Sequence, residues 1–290
     1  MAILKGYMRR IIFILAAALL PILASAQAQI NTKKVLIGDF TGKVTKVVLT
    51  GNMFYDSSLK DEIVARWSVS PYEFCTLEEF DQLKGSEEYY FLLTTKGQFK
   101  KETEPGLMFL TLVKGGKKAE DGLDNMLEVV SLPIASAEDP SGRETVFFPA
   151  FLNIIQNYAV ESTENDVHAY SGLANYSLNL PLIKDMTLVF SEDDLSTEIT
   201  EEMKDTFLNA GMTITDEDSA DRYMVDNTEK AVISYVAVPT EATVGSYCYK
   251  MLIDNQSYKV YYFRKHRITK KFGAGFLAED MKRIASNLSK

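Results

Sequence analysis

Two stretches of the sequence, 140 residues apart, follow one plan. In "SSLKDEIVARW", Leu59, Ile63 and Trp67 recur every four residues; in "STEITEEMKDTF", Ile199, Met203 and Phe207 do the same. Apolar residues four apart share one face of a helix. Ser57 or Ser58 is placed to cap the first helix, and Ser196 or Thr197 the second. Asp61 and Glu62, like Glu198, Glu201 and Glu202, fall in the first turns, where carboxylates suit the free N–H groups. The sequence therefore predicts two helices that align without a gap.

Their surroundings repeat as well. An apolar strand precedes each, "VTKVVLT" in one case and "DMTLVF" in the other. After each come a short strand ("YEFCT", "MTIT") and a short acidic helix ("LEEFDQL", "DEDSADRYM"). Three longer strands follow: "EEYYFLLTTKGQ", "GLMFLTLVKGG" and "NMLEVVSLPIA", then "EKAVISYVAVPT", "SYCYKMLIDN" and "SYKVYYFRKHRI". The polar "DNQ" between the last two reads as a hairpin turn. Each unit closes with a helix, "TVFFPAFLNIIQNYAV" or "AGFLAEDMKRIASNL".

The expected fold is α/β: two tandem related units, each strand-helix-strand-helix-three strands-helix with a mixed sheet. The boundaries read as 1–26 for a leader, 32–160 for the first unit, 161–181 for a polar linker and 182–290 for the second unit. Side chains are not kept between copies: Trp67 corresponds to Phe207, and Cys75 to Thr215.

The leader reading rests on a basic start with Lys5, Arg9 and Arg10, a short apolar run and small residues at Ala24, Ala26 and Ala28. That pattern marks a secretory signal peptide cut near Ala26 or Ala28, giving a periplasmic or secreted product. The apolar run before Pro21 is shorter than the roughly 20 residues a membrane span needs, so no transmembrane segment is expected in the mature chain. Without the leader the net charge is 28 minus 40, or −12. Such an acidic balance argues against nucleic-acid binding. Residues 246–290 depart from it, with ten Lys/Arg against three Asp/Glu.

The run of elements from "SLKDEIVARW" to "EEYYFLLTTKG", with the acidic-aromatic pair Glu88-Tyr89 opening the third strand, resembles the small α/β domain of bacterial envelope proteins. Examples are the amino-terminal domain of TolB-type proteins, CsgG-like curli-secretion lipoproteins and lipoprotein activators of peptidoglycan synthases. More loosely, the chain is similar to exported Bacteroidetes-type proteins. The resemblance implies docking or assembly rather than catalysis. This chain departs from the class in carrying two copies, no lipid-anchor cysteine and no propeller or channel segment.

Motifs for chemistry are sparse. "SSLK", Ser57 to Lys60, fits S-x-x-K, but the supporting S-D-N and K-T-G segments are missing, and Ser57 is explained as a cap. The two histidines, His168 and His266, and the two cysteines lie far apart in sequence, so no metal site and no cofactor is expected. "DEDSAD" lacks the glycine and glutamate of a calcium loop. "VKGGKKAEDG" lacks the spacing of a phosphate loop. Cys75 and Cys248 read either as buried thiols or as one disulfide joining the units.

One segment asks for a binding role. Strand alternation in "SYKVYYFRKHRITKK" sets Lys259, Tyr261, Phe263, Lys265 and Arg267 on one face, with Lys270 and Lys271 beyond. Aromatics interleaved with cations suit an anionic partner; the plainer account is cations guarding a sheet edge. The functional expectation is a soluble exported envelope protein, a non-enzymatic docking or accessory module for another envelope protein. The alternatives are an exported hydrolase of peptidoglycan or glycan, and a binder of anionic lipid or polysaccharide through the basic C-terminal hairpin.

Overall fold

The computed structural model describes residues 34–99, 102 and 104–288. The leader expected at 1–26 lies outside them. After a short helix α1 (Lys34–Ile37), the first unit runs β1 (Val44–Val48), α2 (Met53–Arg66), β2 (Tyr72–Cys75), α3 (Leu77–Leu83), β3 (Tyr89–Gly97), β4 (Leu107–Lys114), β5 (Leu127–Ser136) and α4 (Arg143–Glu164). Then come α5 (Asp166–Ser171) and a 3-10 run over Leu173–Ile183. The second unit is β6 (Thr187–Ser191), α6 (Glu201–Asn209), β7 (Met212–Thr215), α7 (Glu217–Val225), β8 (Ala231–Ala237), β9 (Tyr247–Asp254), β10 (Val260–Arg267) and α8 (Ala278–Leu288).

The duplication holds down to strand pairing. The first sheet has the order β2-β1-β3-β4-β5, and the second is β7-β6-β8-β9-β10 in the same sense. In each, the first strand pairs parallel with the second and third, and the remaining ladders are antiparallel. The fold is α/β with two mixed sheets, as the spacing of elements predicts.

The first helices of the two units do not match at their starts. Asn52, not Ser57 or Ser58, caps α2, its Oδ1 accepting from the N–H groups of Phe54 (3.1 Å) and Tyr55 (3.3 Å). Thr200, not Ser196 or Thr197, caps α6. The early start of α2 is fixed by Asp56, which accepts from Thr50 N (2.9 Å), Thr50 Oγ1 (2.8 Å) and Gly51 N (2.8 Å). In the second unit the same stretch is extended. Ser196 N donates to Phe276 O (3.0 Å) and Phe276 N to Asp194 O (2.7 Å). Only glycine fits opposite it: a Cβ on Gly275 would lie 2.6 Å from Asp194 O.

The units stack in tandem, not face to face. One face of the first sheet, with Tyr90 and Leu92, packs under α2 and α4; the other, with Phe91 and Leu93, packs under α3. In the second sheet, Val232 and Leu252 pack under α6 and α8. Ile233 and Met251 point the other way, with Met224 of α7, into the core that holds α4. So α4 closes the first unit and also covers the α7 side of the second, which explains why Phe147, Phe148, Phe151 and Leu152 are all buried. One continuous core spans both units.

The segment 161–181, expected as a loose linker, is ordered. Ser177 Oγ accepts from Phe263 N (2.9 Å) and donates to Phe263 O (2.8 Å), and Asn179 Nδ2 donates to Val260 O (2.8 Å). The run thus lies along the outer edge of β10. Cys75 and Cys248 are free, buried thiols, one in each sheet, so the disulfide alternative is not what the chain forms. Burial pushes each thiol up to about 11, as loss of water penalises a thiolate.

Candidate functional site

In an open α/β sheet the chain leaves successive strands in opposite directions at one point, and a crevice opens beyond the strand ends there. The order 2-1-3 puts that point between β1 and β3, and between β6 and β8. The two crevices have opposite fates.

The second crevice is filled from within the chain. Arg143, the first residue of α4, reaches past its own unit and donates to Asp194 Oδ1 (Nη1, 2.9 Å), Asp221 Oδ1 (Nε, 2.9 Å) and the carbonyl of Ser234 (Nη2, 3.1 Å). Glu217 stands 3.6 Å from the guanidinium. The rings of Phe147 and Tyr235 flank it at 5.3 and 5.1 Å. Ser234 Oγ donates to the other oxygen of Asp194 (2.6 Å). Arg143 is 7 % and Asp194 3 % exposed. Burial still pushes Asp221 up to about 6 against the pull of Arg143.

The first crevice is open, a cleft of ≈ 920 Å³. Its floor is Val48, Leu49 and Thr50 at the end of β1, with Leu93 and Thr94 of β3. The first turns of α2 and the chain from Ala137 to Thr145 form its sides. Tyr55, whose hydroxyl bonds Thr94 Oγ1 (2.8 Å), stands edge-on to Phe148 at 5.0 Å and holds the wall rigid. The rim is apolar and exposed: Phe54 is 88 % and Leu77 52 % accessible. Leu77 and Glu217 are equivalent, each being the first residue of its unit's second helix after the caps Thr76 and Asp216.

One carboxylate lies deep in this open cleft. Glu144 is 4 % exposed and follows Arg143 in the first turn of α4. Its Oε2 accepts from Gly142 N (3.0 Å); Oε1 accepts from none of the described residues, and no described cation pairs with it. The N-terminal end of a 22-residue helix favours a negative charge there. Glu138 and Lys96 complete the charged lining, both exposed.

Of the segments singled out in the sequence, the serines of "SSLK" line this cleft and the basic hairpin lies away from it. Ser57 is exposed at the cleft side, Ser58 Oγ donates to Phe54 O (3.2 Å), and the Lys60 ammonium lies 6.0 Å from the Phe74 ring. In the basic hairpin a register shift between Val260 and Tyr262 spoils simple alternation, and Tyr261 and Phe263 are buried. Lys265 and Arg267 remain exposed and share the ring of Tyr247, at 5.4 and 5.1 Å. Lys259 leans on Tyr261 at 5.6 Å and Lys271 on Phe272 at 5.0 Å, while Lys270 is exposed. The interleaved aromatics are thus core, and only cations reach the surface.

A second buried charge cluster lies under α8. Asp280, fully buried, accepts from Lys250, Tyr262, Arg264 Nη1 (2.7 Å) and the Leu277 amide (2.9 Å). Burial opposes its charge, yet Lys250 and the other donors hold the carboxyl below its usual range. Cys248 and His266 are cross-strand neighbours on the same face. Gly275 N bonds Cys248 Sγ (3.2 Å), and His266 Nε2 meets Gly273 O at 2.7 Å. Among the described residues no three His, Cys, Asp or Glu side chains are arranged to hold a metal, and no described helix is long and apolar enough to cross a membrane.

Arg143, Glu144, Asp194 and Asp221 escape a motif search because they come from three separate segments. The available signal is "GRETVFFPAFL": two opposite charges opening a helix whose next two turns are largely apolar. Comparison of the chain with protein-family models, with curated proteins and with solved structures finds no match.

Proposed function

We propose that this protein is a non-enzymatic docking module of the cell envelope, and that it engages a polypeptide partner in the open crevice of its first unit. The observation that carries the reading is the contrast between the crevices. Two copies of one fold place the same cleft at the same strand ends; one is sealed by Arg143, and the other keeps its floor open beneath an exposed rim of Phe54 and Leu77. Large apolar side chains rimming a concave site are the usual mark of an interaction surface. Neither serine of "SSLK" has the lysine beside it as an activating base, which weighs against the hydrolase alternative. Burial of Tyr261 and Phe263 removes the aromatic half of the anionic-surface alternative.

Site-specific photo-crosslinking in the producing cell tests the proposal. A benzophenone side chain at Phe54 is expected to trap one discrete polypeptide. The same group at Val225, exposed on the second unit, is expected to trap none, and Leu77→Arg should abolish the Phe54 adduct. Equal adducts from both positions, or none from Phe54, would overturn it.

A further inference from the structure

We infer that the open crevice recognises a cationic side chain, an arginine or lysine presented by the partner. The inference rests on the docking reading above and deepens it. Three observations converge.

The first is the chain's own example. Where the crevice of this fold is closed, the group inside is a guanidinium, held by Asp194, Asp221 and the Ser234 carbonyl between two aromatic rings. It arrives from the unit stacked on the α7 side. The equivalent α3 side of the first unit receives no such group from any described residue.

The second is Glu144. A buried carboxylate is costly unless a donor or cation compensates it. Gly142 N and the helix end compensate Oε2, while Oε1 has no donor or cation among the described residues and faces the solvent of the cleft. A carboxylate that lines an open cleft with one oxygen unclaimed suits a ligand of opposite sign.

The third is the shape of the path inward. Phe54, Leu77 and Leu93 line the same cleft as Glu144 and offer it apolar and aromatic surface. Long basic side chains match such a path, because their stems bury on apolar walls while the charged head seeks an acceptor. Lys96, the one described cation on the lining, is exposed rather than buried beside Glu144.

The test uses side-chain probes against the whole mature protein, followed by the backbone amide resonances of Thr50, Asn52 and Thr94. N-acetyl-arginine amide is expected to shift them saturably. N-acetyl-citrulline amide, equal in shape but uncharged, should bind weaker by about tenfold or more. Glu144→Gln should weaken the arginine probe to a similar degree. Leu77→Glu, on the exposed rim, places an acid where Glu217 meets Arg143 and should tighten the arginine probe but not the citrulline one; it keeps the test sound should the Glu144 variant fold poorly. Equal binding of the arginine and citrulline probes, or no response to either substitution, overturns the inference. Shifts from N-acetyl-norleucine amide or N-acetyl-glutamate amide without any from arginine would sink the cation while leaving the crevice as docking site. No shift from any probe, together with no adduct from Phe54, would sink both.

Discussion

Arg143 and Glu144 are adjacent on the first turn of α4, carry opposite charges, and face different crevices of the duplicated fold. Arg143 leaves its own unit to satisfy Asp194 and Asp221 of the other. Glu144 stays and lines the cleft of its own. One dipeptide thus locks one site and charges the other.

The lock should be visible in stability. Arg143→Ala leaves Asp194 buried without its cation, and breaking a buried pair from one side costs about 3–5 kcal/mol. Combining Arg143→Ala with Asp194→Asn removes both charges and should recover at least about 1 kcal/mol relative to the sum of the single changes. Urea unfolding of the four proteins in the cycle measures both; strict additivity would mean the pair is not coupled.

Under α8 an ordering is expected. Asp280 gathers four donors, so Asp280→Ala strands Lys250 in the core, whereas Lys250→Met leaves Asp280 with Tyr262, Arg264 and the Leu277 amide. The aspartate change should cost about 3–5 kcal/mol and the lysine change clearly less. Thermal midpoints in the reverse order would contradict the network as described.

Acidity should stabilise the protein over part of its range. Burial pushes Glu128 up to about 7 and Asp221 up to about 6, both above their unfolded values. The folded state therefore binds protons more tightly than the unfolded chain between about pH 4 and 7, and these groups lower stability as pH rises through that window. Glu128→Gln should raise stability at pH 8 by about 1–3 kcal/mol and change little at pH 5. A pH-independent effect of the substitution would rule out this titration.

Both cysteines should ignore a thiol reagent in the native state. Their buried thiols are pushed up to about 11, so little thiolate exists near neutrality. Two equivalents of Ellman's reagent should react only after unfolding, with no reductant needed. Reaction with none would reveal a disulfide instead.

Much of this architecture is legible in the sequence, for identifiable reasons. "LEEFDQL" and "MTIT" match α3 and β7 residue for residue, since caps and short apolar alternation are local signals. The start of α2 is missed because Asp56, rather than a capping serine, ties the turn through Thr50 and Gly51. Tyr261 and Phe263 read as surface because alternation assumes one bare face, and here both faces of the second sheet are covered, Tyr261 packing in the cluster under α6 and α8 and Phe263 in the core shared with the first unit. The crevices depend on strand order, which no local pattern encodes. The four-residue spacing marks apolar residues buried in each unit's own core, Leu59, Ile63 and Trp67 in the first and Ile199 and Phe207 in the second, although Ile199 lies just before its helix.

The shared α4 also sets a timetable for the nascent polypeptide. Arg143 meets partners 51 and 78 positions later, and the Tyr235 hydroxyl donates to the Ile134 carbonyl 101 positions earlier. While the first half is complete and the second still unmade, Phe147 and Phe151 have water where Tyr235 will stand. Such an exposed aromatic flank is sticky toward other unfinished chains. Biogenesis of this protein is therefore most vulnerable midway, when one sheet has formed and its lid waits for the other.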